Sequence, residues 1–162
     1  MQERVFGLDP VYDENSRILI LGSFPSVQSR KTDFYYGNPQ NRFWKLLASF
    51  FGEPLPVGKE GKKAFVLRHG IALWDVVTSC RIVGSADDTI TDYTRADLTK
   101  VLTKAKIELV LLNGKKALSV FEEGYKDCGV PYKVMPSTSP ANPRYKEEIW
   151  RRAFNEVFRS VE

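Results

Sequence analysis

The chain has 162 residues, 43% hydrophobic and 27% charged, with a formal net charge of +4 and a pI of about 9.0. That is enough for one domain with its own core, of ordinary globular composition. It excludes a membrane-spanning helix, because no run of 18 apolar residues is present. The basic excess is compatible with a nucleic-acid partner without identifying one.

The opening MQERVFGLDP carries charge and a proline and lacks the apolar stretch of a signal peptide. A soluble, cytoplasmic protein is expected, with one domain over residues 1–162. The two cysteines, Cys80 and Cys128, and the single histidine, His69, are too few for a four-cysteine zinc site or an iron–sulfur cluster. In the cytoplasm both thiols are expected to be reduced, and no metal or cofactor is expected.

In chain order, RILILG (Arg17–Gly22) is a β-branched and leucine run ending in glycine, the pattern of a buried strand. Asn41–Phe51 has apolar residues at helical spacing, stopped by Gly52 and Pro54. Gly61–His69 reads as a helix with Gly70 at its C-cap, and His69 at a helix C-terminus has a favourable charge. GIALWDVV (Gly70–Val77) is a second strand. Thr78–Arg95 is the longest irregular segment, and a connection of that length inside a compact domain is often functional. Asp97–Lys106 is helical, IELVLL (Ile107–Leu112) is a third strand, and Lys115–Lys126 a further helix. YKVM (Tyr132–Met135) is a weaker fourth strand. Lys146–Ser160 places Ile149, Trp150, Ala153, Phe154, Val157 and Phe158 on one face of an amphipathic helix. Alternating strands and helices predict an α/β domain: a parallel sheet of four strands with helices on both faces.

Three segments at or past strand ends carry candidate chemistry, and parallel sheets bind ligands beyond the carboxyl ends of their strands. GSFPS (Gly22–Ser26) lacks both the GxGxxG of dinucleotide binders and the GxxxxGK[ST] of phosphate loops; a strand-to-helix turn explains it equally. Asp75 is a carboxylate inside an apolar strand, either a hydrogen-bonded buried acid or a recognition group. PSTSPANP (Pro136–Pro143) is either a stiff surface loop or a rigid presenter of donors to an anion. Between them stands FYYGNPQNRFW (Phe34–Trp44), whose aromatic density suggests core although Asn38, Gln40 and Asn41 lie at its centre.

GSFPS after the first strand, then FYYGNPQNRFW, then SPANP after the last strand, together resemble the uracil-DNA glycosylase superfamily from about Arg17 to the end. Asn-Arg-Phe-Trp (Asn41–Trp44) is the most specific part, shared with mismatch-specific uracil/thymine glycosylases. Two departures stand out. The Asn or Asp that places the attacking water in the first turn of those relatives is replaced by Ser23 and Phe24, and the histidine opening their second motif by Ser137. That combination resembles the hypoxanthine-DNA glycosylase branch, in which an Asn of the aromatic segment carries the chemistry.

The resemblance implies a three-layer α/β/α fold and an enzyme without cofactor or metal. It would act as a monomer on double-stranded DNA and excise a deaminated base, most simply hypoxanthine, leaving an abasic site without strand cleavage. It implies Asn41 as the catalytic residue, against helix capping as the plain alternative. Ser23, Phe24, Tyr36, Asp75 and Asn113 would bind the base, Tyr36 by stacking, although core packing explains Tyr36 and a turn explains Asn113. Ser26, Ser137, Thr138, Ser139, Asn142 and Arg144 would hold DNA, mostly through phosphates. Lys59, Lys62, Lys63, Lys115 and Lys116 would add phosphate contacts or simply coat solvated helix faces. The alternatives are a uracil or mismatch-specific glycosylase of the same fold, an inactive DNA-binding relative, or a small-molecule α/β domain.

Overall fold

The structure, a computed structural model, describes residues 3–158. Its centre is a four-stranded, all-parallel sheet in the order β3 (Ile71–Asp75), β2 (Ile18–Gly22), β6 (Leu109–Asn113), β7 (Tyr132–Met135). The expected sheet and its three-layer α/β/α arrangement are present. Every residue of β2, β3 and β6 is buried, as required of parallel strands covered on both faces. The register pairs Ile18 with both Ile71 and Leu109, and it ends by placing Gly22 opposite Asp75.

The helices form two groups. α2 (Phe43–Phe51), α3 (Gly58–Arg68) and α6 (Glu147–Phe158) share an aromatic core, with ring contacts Phe51–Phe65, Phe43–Trp150 and Phe50–Phe154. α5 (Lys115–Tyr125) crosses between β6 and β7 and packs Phe121 on Tyr132. The chain leaves β2 towards β3, but β6 and β7 lie on the other side. Right-handed crossovers therefore put the two helix groups on opposite faces. This reversal opens a crevice beyond Gly22 and Asn113, between the ends of β2 and β6.

Several boundaries differ from the sequence reading. The strand expected over Gly70–Val77 stops at Asp75. There β2 has ended, and the N–H groups of Val76 and Val77 bond instead to the carbonyls of Gly22 and Ser23, at 2.9 and 3.1 Å. The chain then leaves the parallel sheet. Thr78–Arg95, expected to be irregular, holds most of a second sheet, antiparallel, in the order β1 (Val5–Phe6), β4 (Val77–Arg81), β5 (Thr91–Arg95), with a 3-10 turn over Asp87–Thr89. Its strands read poorly because β1, the outer partner of β4, is only two residues long and distant in sequence, and β5 is mostly exposed.

Helix α1 (Val27–Thr32) has only six residues, too few for a periodic signal; its N-cap Ser26 accepts from the Ser29 N–H. α3 begins earlier than Gly61 and ends at His69, which is its C-cap, with Gly70 following at φ +73°. His69 pairs with Glu53 and stacks on Phe51. α4 covers only Thr99–Leu102 of the expected Asp97–Lys106. Arg159 and Ser160, expected to extend the last helix, lie outside the described residues. Cys80 and Cys128 are free thiols. Among the described residues no helix is long and apolar enough to cross a membrane.

Candidate active site

The crevice at the strand ends opens into a cavity of about 430 Å³ lined by Gly22, Ser23, Phe24, Tyr36, Asn41, Asp75, Asn113 and the Ser137–Ala141 part of the second loop. That volume lies within the range of small-molecule and base pockets. The separated segments thus meet where the reversal of strand order places them.

The floor is built on Gly22. A β-carbon there would stand 2.6 Å from Asp75 Oδ1 and 3.3 Å from the Tyr36 hydroxyl. Only glycine lets both side chains fold over the strand end. Asp75 is buried, and its Oδ2 has no hydrogen-bond partner. Burial, reinforced by the charge of Asp87, pushes its carboxyl up to about 8. At neutral pH Asp75 is therefore chiefly the neutral acid, a donor through O–H and an acceptor through C=O.

Tyr36 sits at φ +53°, a left-handed conformation that is uncommon and costly for a bulky residue. It is kept there by its surroundings. Its ring stacks on Phe43 with centroids 4.0 Å apart, and the Gly37 N–H following it donates to Ser29 Oγ at 2.9 Å. Its hydroxyl is buried without a partner, and burial with the nearby Asp75 raises its pKa. Two orphaned polar atoms thus face one cavity, and buried groups in that state point to an absent partner.

The aromatic segment divides between core and turn. Phe34, Tyr35, Phe43 and Trp44 are buried, with Phe34 stacked on Trp44 and the Trp44 Nε1–H donating to the Tyr35 carbonyl. Asn38, Gln40 and Asn41 form the turn between them: Asn38 Oδ1 accepts from the Gln40 N–H, and its carbonyl accepts from the Asn41 N–H. Asn41 Oδ1 accepts the Phe43 N–H at 2.9 Å, capping α2, and the residue lines the cavity. The cap fixes the carboxamide and leaves Nδ2 for a substrate or water.

Ser23 lines the cavity, with its hydroxyl donated to Asp87 Oδ1 at 2.6 Å. Phe24 is a buried wall beneath the Arg30 guanidinium. Ser26 stands at the rim, and its hydroxyl is engaged in capping α1. Asn113 is at the cavity with its amide paired at both ends, Nδ2 donating to Thr138 Oγ1 and Oδ1 accepting the Thr138 N–H, each at 3.0 Å, and its remaining donor lowers the pKa of the nearby Tyr36 hydroxyl against the larger effect of burial. Thr138, expected to touch DNA, is fully buried in that pairing and instead anchors the loop to β6.

Ser137 and Ser139 bond within the loop, the Ser139 N–H to Ser137 Oγ. Asn142 and Arg144 do not reach the cavity. They flank a neighbouring groove with Gly114, Lys115, Val134 and Ile149. Asn142 folds back, donating from Nδ2 to the Ser137 carbonyl.

Two residues were not foreseen. Arg42 donates to the carbonyls of Thr138, Ser139 and Asn142, and its guanidinium lies over the Tyr145 ring. It ties the aromatic segment to the second loop, which explains an arginine inside Asn-Arg-Phe-Trp. Asp87, on the 3-10 turn, meets the site through the hydroxyl of Ser23, and the length of Thr78–Arg95 was the only signal for it. Among the described residues no group of three His, Cys, Asp or Glu could hold a metal.

A pocket with two unpartnered buried polar atoms at the switch point of a parallel sheet lies where such sheets bind ligands. The sequence profile described as the Uracil DNA glycosylase superfamily matches residues 10–160. The chain belongs to that superfamily and is a DNA glycosylase. It is 39% identical to a hypoxanthine DNA glycosylase of Methanosarcina acetivorans over 153 residues, 91% of this chain and 96% of the relative. It is 37% identical to a hypoxanthine DNA glycosylase of Methanosarcina barkeri over the same shares. The solution NMR structure of a proposed uracil DNA glycosylase from Methanosarcina acetivorans superposes with a TM-score of 0.81 at 38% identity, covering 95% of this chain and 98% of that one.

Proposed function

We propose that the protein removes hypoxanthine from deoxyinosine in duplex DNA as a monofunctional glycosylase, acting as a cytoplasmic monomer and leaving an abasic site. The observation that carries this reading is the pair of unpartnered buried atoms, Asp75 Oδ2 and the Tyr36 hydroxyl, over Gly22. The lactam edge of hypoxanthine offers N1–H as donor and O6 as acceptor. A neutral Asp75 presents the complement, with C=O for N1–H and O–H for O6.

The target base reaches this pocket only by leaving the duplex, and unstacking costs least for a mispaired base. Inside, Tyr36 supplies a stacking surface backed by Phe43. Cleavage passes through an oxocarbenium-like sugar. The hydrogen bond from Asp75 to O6 strengthens as the base departs with the bonding electrons, so it lowers the barrier and not only the ground state. Asn41 orients the water or the base through its uncapped Nδ2. The named relatives support the substrate class.

The test is base release from labelled duplexes carrying one deoxyinosine or one deoxyuridine, with alkali added afterwards. Strand breaks at deoxyinosine that need alkali are the expected result, and Asn41→Ala is expected to abolish them while keeping the fold. Preferential release at deoxyuridine replaces the hypoxanthine assignment with a uracil enzyme of the same fold. Full activity of Asn41→Ala removes Asn41 from the chemistry.

A further inference from the structure

The turn between β4 and β5 is fastened at three points to the first loop and the helix α1 that follows it. The Val27 N–H donates to Ser85 Oγ at 2.9 Å, Arg30 Nη2 donates to the Gly84 carbonyl at 2.7 Å, and Ser23 Oγ donates to Asp87 Oδ1 at 2.6 Å. Ser85 and Ala86 line the cavity wall beside Ser23. The segment is therefore part of the site, and it brings a second carboxyl to it.

We propose that Asp87, delivered by this turn and held by Ser23, is the carboxylate that takes the proton of the attacking water. This rests on the glycosylase reading above. Ser23 of the first loop lines the cavity and bonds to a carboxylate that arrives from another segment.

The groups around Asp87 fit the division of labour. Burial pushes its pKa up, the Ser23 hydroxyl and Lys116 of α5 bring it down, and Asp88 pushes it up again. It is also the charge that Asp75 and Tyr36 feel. Two acids sharing a site do not ionise together. Asp87 has a hydroxyl donor at 2.6 Å and a nearby lysine to offset its burial, whereas buried Asp75 has neither. Asp87 therefore carries the charge and Asp75 the proton, the separation that assigns base and acid.

The step balances. The C1′–N9 bond breaks with its electron pair going to the base, and the water oxygen bonds C1′. One water proton passes to Asp87 and the Asp75 proton passes to the departing base. Solvent exchange then returns both carboxyls to their starting states.

Single-turnover base release from the deoxyinosine duplex across pH tests the assignment. Asp87→Asn keeps an acceptor for Ser23 and removes the base. The expected loss is about 100-fold in rate, with duplex affinity kept and the acidic limb of the pH profile flattened. Ser23→Ala removes a donor that lowers the Asp87 pKa, so its acidic limb moves to higher pH. A rate for Asp87→Asn within about threefold of the parent, far short of a general-base effect, overturns the proposal. So does a loss accompanied by weakened duplex binding with the acidic limb intact, which marks a structural role. Parent protein assayed alongside separates the readings. If it releases uracil and not hypoxanthine, the same comparison tests Asp87 on that substrate, and if it releases neither base, both readings fall.

Discussion

The Asp75 carboxylate rests directly on the Cα of Gly22, its register partner, so closely that a β-carbon would stand 2.6 Å from Oδ1. The last residue of β2 thus sets the position of the acid at the end of β3. Gly22→Ala is expected to push Asp75 and Tyr36 out of place. Overpacking of this kind costs about 1–3 kcal/mol in stability, while base release falls much further because the pocket floor is lost. Melting curves and single-turnover assays on the same preparation check both, and near-parental release would show that the floor tolerates the methyl group.

Asp75 gives a pH signature. Its folded pKa of about 8 lies above the ordinary 3.8. The folded state therefore holds the proton more tightly, and this contribution to stability is complete below about pH 4 and lost as the pH rises to about 8. Asp75→Asn, which cannot ionise, is expected to gain stability relative to the parent across that window. Urea midpoints at pH 5, 7 and 9 measure it. The amide keeps one donor and one acceptor, so base binding survives, but it has no proton to give and release slows. A constant stability difference across the three pH values would refute the raised pKa.

Arg42 holds three carbonyls with one planar fork. Lysine keeps the charge but not the geometry. Arg42→Lys is expected to cost about 1–3 kcal/mol of stability, as partly buried carbonyls lose a charged donor. Loosening of the second loop should weaken lesion binding by about tenfold, which corresponds to about 1.4 kcal/mol. Fluorescence anisotropy with a deoxyinosine duplex reports the affinity, and unchanged binding would detach the loop from DNA recognition.

Asn113 tests the distinction between reading a base and holding a loop. Asn113→Ala strands the Thr138 N–H and hydroxyl in the interior, at about 1–3 kcal/mol for each unsatisfied group. A merely positional role predicts loss of stability with lesion preference intact. Loss of the preference for deoxyinosine over undamaged duplex, without loss of stability, would return Asn113 to the base.

Strands β2, β3 and β6 and the amphipathic last helix were legible because each carries its own burial pattern, continuous apolar runs for strands covered on both faces and period 3.6 for helix α6, whereas β7, largely exposed, gave a weaker signal. The chemically important segments were also legible, since Asn41–Trp44, Asp75 and Pro136–Pro143 announce themselves by composition and order. The antiparallel sheet was hidden, because β1 and β4 are 71 residues apart at Phe6 and Val77 and β5 is polar and exposed. The partition of work within the site was hidden for the same reason. Local sequence marks Asn113, Thr138 and Arg42 as polar, but only their contacts across the fold decide that Asn113 and Thr138 satisfy one another and that Arg42 clamps the loop. The protonation of Asp75 and the arrival of Asp87 at Ser23 depend on burial and on distances between segments, and those are set only when the chain has folded.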